Sequence, residues 1–236
     1  MAGRAGAIEK SARAFAIGRF DAGILEMALW LRGFEEFFTD LVVNQGFAEA
    51  LLDMVTEMKM KYWYRVLDIL GPGDGVVVTE ADDLASQRGL LISPAAYCRF
   101  VKPRHKRLFD FMRSKARREI KIFYHCCGAV RPLIPDLIEE GIDILNPVQI
   151  SAQGMDPYEL KRDFGKDLVF WGGGVDTQTV LPFGTPDQVR ENVKRCLDAL
   201  APGGGFVFAT VHNIQADVPT ENILAMWDEL MQSGAY

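Results

Sequence analysis

An α/β fold with a parallel sheet is what this sequence predicts, on three observations. Short β-branched or aromatic runs alternate with longer amphipathic segments, an order that implies parallel pairing through right-handed crossovers. The runs are apolar on both faces, as strands covered by helices must be. Each run also changes to polar residues or glycine at its C-terminal end, the edge where α/β folds place their ligands.

In chain order, AFAIGR (14–19) is the first candidate strand. GFAEALLDMVTEMKMKYWYRVLDIL (46–70) follows, with Ala48, Leu51, Leu52, Val55, Met58 and Tyr62 at helical spacing. GVVVTE (75–80) is the second strand. SPAAYCRFVKPRHKRLFDFMRSKA (93–116) opens with Ser93 as N-cap and Pro94 in the first turn, and Pro103 bends or divides it. IKIFYH (120–125) precedes AVRPLIPDLIEEG (129–141), which ends on Gly141 as a C-cap. IDILNP (142–147), LVFWGG (168–173) and GFVFATV (205–211) complete the strands. The helical segments TPDQVRENVKRCLDALAPGGG (185–205) and PTENILAMWDELMQS (219–233) flank the last of them. A doubly wound open sheet and a (β/α)8 barrel both fit this order. Six strands favour the open sheet, being about two short of a closed barrel.

Composition narrows the function classes. The 236 residues are 49% hydrophobic and 25% charged, with a net charge of −6. That balance argues against a nucleic-acid partner, which needs a basic face. There is no run of 18 or more apolar residues to span a membrane. The opening MAGRAGAIEKSARAF is interrupted by Arg4, Glu9, Lys10 and Arg13 and lacks the apolar core of a secretory signal. Cys98, Cys126, Cys127 and Cys196 make no disulfide framework, so the reading is a reducing cytoplasm.

The chemistry gathers at the strand ends. In IFYHCCGAV (122–130), alternation turns His125 and Cys127 one way and Cys126 the other, so the useful unit is H-x-C, and Cys126 reads as a packing residue. His212, at the end of FATVH, is the third candidate ligand. Imidazole and thiolate with one open position suit a catalytic Zn2+, which ionises a thiol or polarises an oxygen. The alternative is a small buried Cys127 beside a hydrogen-bonded His125. Glu80 and Asp82 share a strand face and are candidate catalytic carboxylates, with Asp83 and Arg88 as substrate-binding candidates. Equally, Asp82 and Asp83 cap the following turn, and Arg88 pairs with either. Asn146, Gln149, Asp176 and Gln178 face the same mouth. VFWGGGVDTQ is not a nucleotide fingerprint, and its glycines serve a tight turn or close approach to a ligand. KPRHKR (102–107) reads as a solvated helix face, which leaves His105 outside the site. Phe34, Phe37, Phe38, Trp63 and Tyr64 read as core or interface aromatics.

HCCG, DILNPVQ, GGGVDTQTVLPFGTP and GGGFVFATVHNIQADVPTENI, with LRGFEEFFTDL and EADDLASQRGLLISP upstream, make the chain resemble the uroporphyrinogen decarboxylase superfamily. That superfamily also contains the corrinoid-dependent methyltransferases. The resemblance implies a (β/α)8 barrel with its site at the C-terminal mouth, in place of the open sheet. It also implies one barrel domain over 1–236 that lacks the family's N-terminal part, about its last six βα units. The methyltransferase branch implies zinc on His125, Cys127 and a third ligand, where His212 stands in for a later cysteine. The zinc would activate a thiol that takes a methyl group from a corrinoid carried by a partner protein. The decarboxylase branch implies no metal, with His212 and Asp82 or Asp83 acting on uroporphyrinogen in porphyrin biosynthesis. Of the arginines that branch needs, only Arg19, Arg32 and Arg88 offer themselves. An inactive, incomplete barrel is the third expectation.

Overall fold

The computed structural model describes residues 15–20, 22–70 and 76–234. Ala14 and Gly75 of the expected strands, and residues 1–14 as a whole, lie outside these. Two compact units emerge. One contains residues up to Leu84 with Ile92–His125 and Pro135–Asp143; the other contains Ala85–Leu91, Cys126–Ile134 and the chain from Ile144 onward.

In the first unit, strands β1 (Phe15–Ile17), β2 (Val76–Ala81) and β3 (Ile120–His125) run parallel in that order. Ile17 stands beside Val78, and Val78 beside Ile122. Val78 and Ile122 are both fully buried, as expected of a sheet with apolar faces. Helices α1 (Ile24–Arg32), α2 (Phe34–Val43) and α3 (Gln45–Leu70) lie between β1 and β2. After β2, a helical turn Pro94–Ala96 and a π-helical stretch Tyr97–Val101 lead into α4 (Lys102–Lys115). Ser93 caps the turn as expected, its Oγ accepting from Ala96 N at 3.1 Å. Pro103 does divide the segment: it sits in the first turn of α4, where its missing N–H costs nothing, and the π-helical turn precedes it. Helix α5 (Ile134–Glu140) ends at Gly141, whose φ of 103° suits only glycine.

The N-terminus of α1 is capped from a distance. Its N-cap is Gly23, which has no side chain to offer. Asp82, 57 residues from Leu25, supplies the acceptor instead: its carboxylate takes Leu25 N–H at 2.7 Å and Glu26 N–H at 2.9 Å. The backbone can approach only because residue 23 is glycine, since a Cβ there would lie 2.2 Å from Asp82 Cγ.

His105 extends this network into the core. Its Nε2 lies 3.1 Å from Asp82 Oδ2 and its Nδ1 3.2 Å from Glu140 Oε2, while Tyr97 Oη donates to Glu140. Asp82 is 0% exposed and His105 2%. A carboxylate oxygen near each ring nitrogen favours the protonated imidazole. Burial alone pushes the His105 pKa down; the hydrogen bonds and charges of Asp82 and Glu140 outweigh it and raise the pKa to about 9. A second buried pair, Lys59 Nζ to Glu80 Oε2 at 2.8 Å, joins α3 to β2, with Trp63 Nε1 donating to the other Glu80 oxygen.

In the second unit, β4 (Ile144–Asn146), β5 (Val169–Trp171) and β6 (Phe206–Val207) are parallel and adjacent in that order. β6 is shorter than expected, but bonding continues beyond it: Gly172 N donates to Val207 O and Gly174 N to Ala209 O, each at 3.0 Å. Helices α6 (Pro157–Phe164), α7 (Val180–Phe183), α8 (Pro186–Leu200) and α9 (Thr220–Ser233) complete it. α8 starts at a capping box, with Gln188 N donating to Thr185 Oγ1 at 3.3 Å and Thr185 N to Gln188 Oε1 at 2.8 Å. Its buried Val189, Val193, Cys196, Leu197 and Leu200 repeat at helical spacing.

Two outcomes follow. Gly23→Ser introduces a good isolated N-cap, yet it should lower stability by about 1–3 kcal/mol in urea unfolding, because the new Cβ displaces the Asp82 carboxylate. For His105, the folded pKa lies above the unfolded one, so its contribution is complete below about pH 6.5 and is lost as pH rises through about 9. The unfolding free energy of the wild type, from urea titrations, should therefore fall across that window, by on the order of 3 kcal/mol. His105→Gln should be less stable at pH 6 to 7 and lack this slope.

Candidate metal centre

Just beyond β3, the burial alternation continues for two more residues. Cys126 N donates to Asn146 O at 2.8 Å, and the Cys126 side chain is buried at 1% exposure, as its packing role requires. Strand alternation then turns Cys127 to the opposite side, where it is half-buried. Gly128 bends the chain with φ 85°, and its N–H donates to Gln149 Oε1 at 2.8 Å.

Within the second unit, Cys127 Sγ lies 2.9 Å from His212 Nε2. The two residues are 85 apart in sequence and come from the loops after β3 and β6. His125, two residues before Cys127, closes β3 and is half-buried on the same alternate positions. His125, Cys127 and His212 qualify as a potential metal-ligand group among the described residues. Two imidazoles and a thiolate are nitrogen and soft sulfur donors suited to Zn2+, and three protein ligands leave a fourth position for a substrate.

The other expected site residues divide by role. Glu80 and Asp82 are buried in the framework of the first unit, engaged by Lys59 and Trp63 and by α1 and His105 respectively. Those bonds fix the position of both carboxylates at the end of β2. Asp82 takes His105 as its ionic partner. Asp83 follows it, half-buried. Arg88 is exposed on the loop 85–91, which is held by Ala129 N to Ser86 O at 2.8 Å and Gln153 N to Gln87 O at 3.0 Å. Asn146 ties the ends of β4 and β5 together, its Nδ2 donating to Trp171 O at 2.8 Å. Asp176 accepts from Gln178 N, Thr179 N and Thr179 Oγ1, so its carboxylate caps the turn into α7 and is not presented to a ligand.

A recess of about 310 Å3 opens beside His212. Gln149, Gln178, Leu181, Val211 and Ile214 contribute to its wall. Sequence reasoning identified the two glutamines but missed the apolar wall. The signal available was NIQADVP (213–219), a mixed apolar and amide loop directly after His212.

Gly128 gives the local geometry a direct test. A Cβ there would lie 2.5 Å from Ser86 O and 2.6 Å from Ala85 O, at a positive φ. Gly128→Ala should cost about 2 kcal/mol or more in urea unfolding, a penalty that Gly89→Ala, where the added Cβ meets open space, should not share.

Comparisons with known proteins bear on the whole chain. A methylated-thiol–coenzyme M methyltransferase of Methanosarcina mazei is 25% identical over 216 residues, covering 89% of this chain and 49% of that protein. The chain thus spans about half the length of the curated relative it matches. A solved methyltransferase from Methanosarcina mazei shares the fold with a TM-score of 0.71 at 22% identity, over 98% of this chain and 63% of that one. The expected parallel α/β architecture therefore holds, with six strands among the described residues against the eight of a closed barrel. No helix among the described residues is long and apolar enough to cross a membrane. The family profile described as uroporphyrinogen decarboxylase (URO-D) matches residues 10–232, and the chain belongs to that family.

Proposed function

We propose that this chain carries the zinc-binding, thiol-activating site of a methyltransferase, with His125, Cys127 and His212 as ligands. The observation that carries the reading is the 2.9 Å approach of Cys127 Sγ to His212 Nε2, two residues beyond His125. The methyltransferase relatives add support at the level of the family. Bound there, zinc would lower the pKa of a coordinated thiol and supply a nucleophile at neutral pH.

The residues of this chain have separable tasks in that reading. Cys127 brings negative charge and a soft donor. His212 closes the site from the loop after β6. Gln149, by accepting from Gly128 N, holds the bend that aims Cys127. Asn146 fixes the neighbouring strand end through both its carbonyl and its amide. The methyl group would come from a corrinoid on a partner protein. Uroporphyrinogen decarboxylation draws less support, since Asp82 is committed to α1 and His105, and no arginine among the described residues lines the recess beside His212.

Elemental analysis of tag-free protein tests the proposal. The wild type should hold about one zinc per chain, and Cys127→Ala and His212→Ala should lose it. Cys126→Ala should keep it, since the Cys126 side chain points into the core. A cooperatively unfolding wild type without zinc would sink the reading and return His212 to an acid–base role.

A further inference from the structure

We propose that the recess beside His212 selects an uncharged small thiol, with its sulfur toward His212 and its carbon arm against Leu181, Val211, Ile214 and Val218. This rests on the zinc reading above and adds the substrate class. Apart from His212, none of the described residues in the recess wall has an ionisable side chain: aliphatic residues stand among the amides of Gln149, Gln178, Asn213 and Gln215 and the hydroxyl of Thr177. The acids nearest in sequence, Asp176 and Asp217, are both absent from the wall, and Asp176 is committed to its own turn.

The amides are already oriented. A backbone N–H can only donate, so the Gly128 contact fixes Gln149 Oε1 as acceptor and leaves Gln149 Nε2 as a donor. Gln178 Oε1 likewise accepts from Ser151 Oγ at 2.9 Å. Gln215 is oriented the other way, its Nε2 donating to Asn213 O at 2.9 Å, so the wall offers both amide N–H groups and an amide oxygen, which suits a hydroxyl that donates and accepts. A carboxylate or sulfonate on the ligand would lose its hydration without gaining a counter-charge, which is costly. The metal gives no relief, because the Cys127 thiolate and a substrate thiolate already balance its two positive charges. At about 310 Å3 the recess is at the lower end for ligand pockets, which suits a short-chain molecule and excludes a tetrapyrrole.

Mercaptopropanol and mercaptopropionate have equal chain length and differ in charge, so titrating each into zinc-loaded protein by calorimetry or ligand-observed NMR tests selection. Mercaptopropanol should bind at least about tenfold more tightly. Ile214→Lys, which sets a cation at the rim, should narrow or reverse that ratio. Equal or tighter binding of mercaptopropionate to the wild type would overturn the proposal, as would an unchanged ratio in Ile214→Lys. The same comparison with methylthiopropanol and methylthiopropionate, which have no thiol, is made on chelator-treated protein. If the folded protein holds no zinc, the metal reading fails, while this second pair still decides whether the recess rejects charge.

Discussion

The candidate centre depends on one backbone hydrogen bond, from Cys126 N–H to the carbonyl of Asn146. The alternation of buried and half-buried side chains along β3 persists for two residues past its end. Cys126 is then drawn into the core and Cys127 is turned out toward His212. Gly128 follows where neighbouring carbonyls leave no room for a Cβ.

The polar residues at the strand ends are of two kinds, separated by burial. At the end of β2, Glu80 and Asp82 lie in the core, each paired with a cation and satisfied by N–H donors. Such pairs are costly to break and make the strand end rigid. After β3 and β6, Cys127 and His212 are partly or fully exposed and meet each other.

Much of the fold was legible because it is written in local pattern. IKIFYH is β3 to the residue, and the 46–70 helix begins one residue early at Gln45. Helices α1 and α2 were not foreseen as elements, and the reason is physical. α1 starts on a glycine with no capping side chain, since its cap arrives from Asp82 in β2's terminal segment. Gly33 then divides it from α2 within a run whose aromatics do not all face inward, Phe37 being buried and Phe34 exposed. His105 was misread for a related reason: charged neighbours on both sides suggested a solvated face, while the helix turns that one position toward two carboxylates.

Sequence alone determined the alternation of strands and helices, the polar strand ends, the H-x-C unit and the candidacy of His212, because each is a matter of period or local spacing. Only the tertiary structure decided which acids are available for chemistry, since a carboxylate's role depends on partners that lie tens of residues away. It also decided that Cys127 and His212 meet, and that the wall beside His212 is amide and aliphatic. Those facts depend on loops from separate strands converging, and no local pattern encodes convergence.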